Sequence, residues 1–209
     1  MSKYYISLQP NGIYHVFSRA NGWEKMFLDE EDYVKFLGKL IGYVLPVADL
    51  LGWCLIPNHF HLLVRIREPE IIKCHFRAKK RKANVDDLVI PDFLMKQFSN
   101  FLNSYAKSFN KKYKRKGSLF MDYMKRKEIE TDEQLGATIF YIHKNPVHHG
   151  RSRDLKDWKW SSYLDYLTSD DSFIEKKTVL NWFQGIEHFI AYHQQPIYLK
   201  KAVVPYEDL

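Results

Sequence analysis

The stretch LGWCLIPNHFHLLVRI, residues 51–66, constrains the fold more than any other part of the chain. Two apolar runs meet at Pro57-Asn58. Both residues favour turns, so 49–56 and 59–66 read as the two strands of a hairpin. Residues i and i+2 of a strand point to one face. Phe60, Leu62, Val64 and Ile66 therefore face a core, while His59, His61, Leu63 and Arg65 face the other way. Two imidazoles on one face, about 7 Å apart by strand geometry, can close on a single borderline divalent ion. The alternative is a pair of hydrogen-bonded structural histidines, but two in register around a core Phe, after a Pro-Asn turn, favour the metal site.

Other elements fall on either side of this hairpin. GIYHVFSRA (12–20) alternates and reads as a strand. DEEDYVKFLGKLIGYVL (29–45) is helical: Asp29 can cap it, and Tyr33, Phe36, Leu37, Leu40, Ile41 and Val44 recur at helical spacing. Residues 70–91 are mixed and basic, end at Pro91, and read as an insertion or mobile loop. A long helix is expected over 92–114, stopped near Gly117, then a fourth strand over 119–129 and a helix over 132–145. An irregular Trp-rich stretch, LKDWKWSSYLDY, follows. The tail from 172 to 194 reads as one more helix, with Val179, Leu180, Trp182, Phe183, Ile186, Phe189 and Ile190 on its apolar side. Strand–helix–strand–strand–helix–strand–helix around a central hairpin is the pattern of an α+β, ferredoxin-like (RRM-like) antiparallel sheet backed by helices. The expected division is one domain over 1–166 and a C-terminal helical extension over 167–209.

With 45% hydrophobic residues, the 209-residue chain can bury a core. No apolar run approaches the roughly 18 residues that span a bilayer, and the start, MSKYYISLQPNG, lacks a secretory pattern. Cys54 and Cys74 form no framework, and Cys54 reads as a small buried hydrophobe. A cytoplasmic protein without a membrane partner is expected.

The net charge of +7 is concentrated. Residues 107–127 hold Lys107, Lys111, Lys112, Lys114, Arg115, Lys116, Lys125, Arg126 and Lys127 against Asp122 alone, so this segment carries +8 and the remainder −1. A second cluster, RAKKRK, runs from Arg77 to Lys82. Concentrated positive charge suits a phosphate-backbone partner, although a solvated basic surface has the same composition. Tyr105, Phe109, Tyr113, Phe120 and Tyr123 lie among these cations. Aromatics so placed can stack unpaired bases, but several of these rings must belong to the core.

Two histidines hold an ion poorly, so a third ligand is sought in TDEQLGATIFYIHKNPVHHG (131–150). Thr131 with Gln134 makes a capping box, and Pro146 is expected to end the helix at Asn145. Leu135, Ile139 and Ile142 form an apolar face. Gln134, Thr138, Tyr141 and Asn145 form a polar stripe. Tyr141 and Asn145 are neighbours one turn apart, so an amide oxygen could ligate beside a phenol able to act as nucleophile. Taken alone, the helix is better explained by an amphipathic Tyr141 and a C-capping Asn145.

Together the segments resemble a known family. PNHFHLLV matches the His-hydrophobic-His (HUH) motif of single-strand DNA nucleases with one catalytic tyrosine. YHVFSRANGWEKMFLDEEDY, FNKKYKRKGSLF, YIHKNPVHHG and WKWSSY are similar to REP-associated tyrosine transposases, in the same order over residues 12–166. This resemblance implies His59, His61 and Asn145 as ligands of a divalent metal, Mg²⁺ or Mn²⁺, and Tyr141 as the nucleophile. It implies a bacterial protein, monomer or homodimer, that nicks and joins single-stranded or hairpin DNA through a 5′-phosphotyrosine. Arg19, Lys107, Lys111, Lys112, Lys114, Arg115, Lys116, Lys125 and Arg126 are the expected DNA contacts. Around Asn145-Pro146 the family commonly has an apolar residue and Arg-Ala, where this chain has Lys144, His148 and His149. Lys144, three residues after Tyr141, could favour the phenolate through its charge or simply face solvent or phosphate. Two other classes share parts of the pattern: a metallohydrolase with zinc on His59 and His61 and water as nucleophile, and a binding module without catalysis.

Overall fold

The computed structural model describes residues 6–22, 24–80, 84–121, 124–169 and 172–195. Strands β1 (Ile13–Arg19), β2 (Ala48–Ile56), β3 (His59–Ile66) and β4 (Lys125–Ile129) form one antiparallel sheet in the order β2-β3-β1-β4. Helix α1 (Glu30–Tyr43) joins β1 to β2. Helices α2 (Pro69–Lys79) and α3 (Ile90–Lys112) lie between β3 and β4, and α4 (Asp132–His148) follows β4. This is the expected ferredoxin-like arrangement. Three shorter helices complete the chain: α5 (Tyr163–Leu167), α6 (Lys176–Trp182) and α7 (Ile186–His193).

The alternation of β3 divides the molecule into two layers. On one face Phe60 meets Phe36 of α1 at 5.0 Å between ring centres, and Phe36 meets Phe101 and Tyr105 of α3 at 4.8 and 5.0 Å. Phe36, Phe60 and Phe101 are fully buried, and each contributes about 1.5–3 kcal/mol by leaving water. The start of α1 is tied to the end of α3. Asp29 and Asp32 form a capping box, and Lys112 reaches the carboxylates of Asp29, Glu31 and Asp32 at 2.8, 2.9 and 2.9 Å. On the other face lies α4, with Ile139 seated over Gly52 of β2 and Tyr141 and Asn145 over β3. The outer edge of β2 is covered by the Trp-rich stretch: Leu55 N–H donates to Trp160 O and Ser162 N–H to Trp53 O, both at 2.9 Å. Covering an edge in this way removes a template for aggregation.

Four expectations change. Residues 69–79 are a helix, not a loop, because Pro69 sits in the first turn, where its missing N–H is not needed. Pro91 plays the same part for α3 rather than closing the segment before it. The fourth strand is limited to 125–129; at 119–121 the chain only bridges the end of β1, through Ala20 and Phe120. The tail helix is broken in two at Gln184 and Gly185, both at positive φ. Arg81 and Lys82 of the second basic cluster, Asp122 and Tyr123 lie outside the described residues.

One further change matters most for function. Pro146 does not end α4, which runs on to His148. The stop comes at Gly150 (φ 61°), where Arg151 N–H donates to Pro146 O at 2.8 Å and Gly150 N–H to Val147 O at 3.0 Å. These are the two bonds of a Schellman termination. Thr131 caps the other end through its hydroxyl, while the Gln134 side chain accepts from Glu130 N–H, one residue before the position a capping box requires.

The C-terminal helices pack on the outer side of α4. A Cβ on Gly136 would lie 2.5 Å from the Trp182 ring, so Gly136→Ala sets overpacking of about 1–3 kcal/mol against a helix-propensity benefit of about 1 kcal/mol. The Trp ring is rigid, so overpacking wins. Thermal unfolding of Gly136→Ala should shift downward, and Trp182→Leu in the same chain should recover much of the shift. A raised midpoint in the single variant would refute this packing.

Candidate active site

The His59 face of the sheet collects the site. Register decides its membership, since directly opposed residues of antiparallel strands share a face. Arg19, Phe17 and His15 of β1 stand opposite His59, His61 and Leu63 of β3. Lys125 and Lys127 of β4 stand opposite Phe17 and His15. Helix α4 closes over this surface with Tyr141 and Asn145.

The contacts within the cluster are direct. His59 Nε2 faces Asn145 Oδ1 at 3.0 Å, and His59 Nδ1 faces Asn58 Oδ1 at 3.1 Å. His61 Nδ1 shares a hydrogen bond with His15 Nε2 at 3.0 Å. Asn145 Nδ2–H donates to the Tyr141 hydroxyl at 3.3 Å, which orients the amide with its oxygen toward His59. The rings of His59 and His61 are 5.0 Å apart, and Tyr141 lies edge-on to His61 at 5.3 Å. His59, His61, Tyr141 and Asn145 are 7, 2, 2 and 0% exposed. The four residues that the motifs single out are thus one buried cluster.

Two further histidines join it. His15 lies between His61 and Phe17, at 5.1 and 4.9 Å. His149 meets the His59 ring edge-on at 4.8 Å. Sequence reasoning misses both. His15 sits in an alternating strand whose register with β3 is not written in the sequence, and His149 reaches the site only because α4 continues past Pro146, one turn beyond Asn145.

The expected DNA contacts divide into three groups. Arg19 and Lys125 stand on the site face, and Arg19 is close enough to act on the charge of His59. Lys107, Lys111, Lys114 and Lys116 are exposed on the end of α3 and the loop after it. That loop reaches the site end of β1, where Asn21 N–H donates to Leu119 O and Met121 N–H to Arg19 O. Lys112, Arg115 and Arg126 have structural partners instead. Lys112 holds the acidic start of α1, and Arg115 binds Glu24, Asn110 and Ser118 O. Arg126 is buried on the opposite face and binds the carbonyls of Ile6 and Met124. Of the interleaved aromatics, Tyr105 and Phe109 are core. Lys144 rests over the Phe140 ring at 5.7 Å, on the side of α4 that meets α7.

Burial keeps these imidazoles neutral. Loss of water pushes His15 and His59 down to about 3, aided by Lys127 for His15 and by His149 for His59. Burial first, then His59, holds His61 well below the ordinary value. A second buried chain does the same on the outer side of α4, where His143 bonds His193 at 2.9 Å and Ser162 Oγ at 2.8 Å. Burial lowers His143 strongly and His193 to about 4. In the unfolded chain all five would take protons near pH 6.5, so stability is complete above that pH and is lost as pH falls from 6.5 toward the folded values. Each such group costs about 1.4 kcal/mol per pH unit within its window. Urea unfolding should therefore show stability flat above pH 7 and falling by several kcal/mol between pH 6 and 5. A curve unchanged over that interval would contradict the burial of these rings.

No protein-family model matches the chain. A curated protein of Haemophilus influenzae, named "Putative REP-associated tyrosine transposase", is 31% identical over 117 residues, 53% of this chain and 56% of the relative, so the match spans just over half of that protein's length. A solved structure of a REP-associated tyrosine transposase bound to a REP hairpin superposes with a TM-score of 0.57 at 17% identity, covering 80% of this chain and 86% of the other. The chain resembles the REP-associated tyrosine transposases in sequence and shares their fold, the likeness to which its ordered motifs point.

Proposed function

We propose that this chain is a metal-dependent endonuclease and strand transferase of the transposase type, acting on hairpin or single-stranded DNA through a covalent 5′-phosphotyrosine. One observation carries the reading: the only hydroxyl bonded to Asn145 within the described residues is that of Tyr141, and the same amide turns its oxygen to His59. Nucleophile and ligand set are therefore held by a single side chain. The related proteins named above, one of them bound to a REP hairpin, support the substrate class.

The residues fit a divalent cation. Among the described residues no group of three or more His, Cys, Asp or Glu is placed to hold an ion, so two imidazoles need a donor of another kind, and Asn145 Oδ1 is at hand. His59 Nε2 and Asn145 Oδ1 stand 3.0 Å apart, so one small cation could take both donors in place of the hydrogen between them. His59, His61 and Asn145 would hold such an ion, which when bound polarises the scissile phosphate and offsets its developing charge. Tyr141 oxygen attacks phosphorus, the bond from phosphorus to the 3′ oxygen breaks, the phenol gives up its proton and the departing 3′ oxygen takes one. Ester energy is retained, so the reverse attack rejoins strands without ATP. Asn145 Nδ2–H, aimed at the attacking oxygen, stabilises negative charge there. Lys144 lies over Phe140, which leaves it no part at the phenol. Because all four side chains are buried, the reading requires the site to open when the strand enters.

Tyr141→Phe keeps the ring and costs the helix little. It should bind hairpin oligonucleotides normally but neither cleave them nor form a denaturant-resistant protein–DNA adduct, both of which the wild type should do with Mg²⁺ or Mn²⁺. Cleavage by the Phe variant with no wild-type adduct would instead mark a hydrolase that uses water, and binding without cleavage by either protein would mark a binding module.

Replacing Lys107, Lys111, Lys114 and Lys116 by Ala should weaken all single-stranded ligands alike and flatten the salt dependence of binding by about 0.7 in log–log slope per lost phosphate contact. Lys112→Ala should lower stability first, since Asp32 is 1% exposed and relies on that ammonium. An affinity insensitive to salt would remove the electrostatic part of the reading.

A further inference from the structure

We propose that His15 is a positioning residue, which accepts the Nδ1–H of His61 and thereby turns the lone pair of His61 Nε2 to the metal; this rests on the metal-site reading above. His15 Nε2 and His61 Nδ1 are 3.0 Å apart, and both rings are almost wholly buried. Two neutral imidazoles at this distance share one hydrogen. If His15 owns it, His61 carries its own hydrogen on Nε2 and its lone pair is spent on His15, so the outer nitrogen cannot ligate. If His61 owns it, Nε2 carries the lone pair. Only the second arrangement makes His61 a ligand.

The neighbouring ligand is held in the same manner. His59 Nδ1 faces Asn58 Oδ1 at 3.1 Å, and an amide oxygen can only accept. Asn145 Oδ1 stands at Nε2 on the other side, at 3.0 Å, and a neutral imidazole has one hydrogen for these two acceptors; when an ion takes the Nε2 lone pair, Asn58 Oδ1 receives that hydrogen on Nδ1. Each motif histidine thus has an acceptor behind its inner nitrogen: Asn58 from the hairpin turn, His15 from the adjacent strand. The β1–β3 register places His15 opposite Leu63, diagonal to His61, close enough for its ring to reach across. Phe17, directly opposite His61, packs on both imidazoles at 4.9 and 5.9 Å and holds them in place. Partners of this kind behind a ligating histidine set its tautomer, and losing one typically costs about 10–100-fold in metal affinity.

The test uses the full-length protein, with Mn²⁺ binding followed by the electron paramagnetic resonance of the free ion. His15→Phe keeps a ring of similar size without an acceptor, whereas His15→Gln places an oxygen near the position of Nε2. The Phe variant should bind Mn²⁺ about 10–100-fold more weakly than wild type, and the Gln variant should recover most of that loss, with circular dichroism and metal-free hairpin binding unchanged in both. Equal affinity in all three proteins, or equal losses in Phe and Gln, would overturn the proposal. Long-range ¹⁵N–¹H NMR of metal-free wild type gives a second readout that needs no variant. His61 should carry its hydrogen on Nδ1, and a hydrogen on Nε2 would overturn the proposal even if the Phe variant failed to fold. A wild type that takes up no Mn²⁺ would instead remove the metal-site reading, while the NMR result would still decide which ring owns the shared hydrogen.

Discussion

The register between β1 and β3 is the constraint on which the rest of the site depends. It sets Arg19 against His59 and Phe17 against His61, and brings His15 within hydrogen-bonding reach of His61. A slip of one residue in β3 would turn both motif histidines into the Phe36 and Phe101 layer and present Phe60 and Leu62 to α4. The fold guards against that slip from both sides. Phe60 is locked among aromatic rings on one face, and the hairpin turn is anchored by Ala20 N–H to Asn58 O and Met26 N–H to Pro57 O, at 2.8 and 2.7 Å.

Burying polar groups this deeply has a cost that the structure offsets by pairing. Asn145 is fully buried yet uses both ends of its amide, and Lys112 bridges three carboxylates at the start of α1. Part of the basic segment is thereby structural. Its net charge counted from composition overstates what is free to meet a phosphate backbone, because Lys112, Arg115 and Arg126 already hold protein oxygens.

Helix α4 links the two halves of the functional reading. Its inner face carries Tyr141 and Asn145 to the sheet, while its outer face bonds the C-terminal helices through His143 and His193. Because these helices grip the opposite side of the same rod, substitutions at Gly136 or His143 act on the placement of Tyr141 through packing and not through chemistry. No helix among the described residues is long and apolar enough to cross a membrane.

The order of the four strands, helices α1, α3 and α4, the hairpin and the shared face of His59 and His61 were legible in the sequence, because strand and helix periodicities are local and turn residues punctuate the chain. Asp29 and Thr131 were legible as caps for the same reason. What the sequence could not carry was non-local or decided by competition. His15 and His149 joined the site through strand register and one added helical turn. Pro146 stayed inside α4 because the Gly150 termination and the packing of the last turn outweighed a local preference. Lys112 and Arg126 turned inward because tertiary contacts brought carboxylates and carbonyls to them. Periodicity determines which face a residue occupies within its own element; only tertiary packing decides what that face meets.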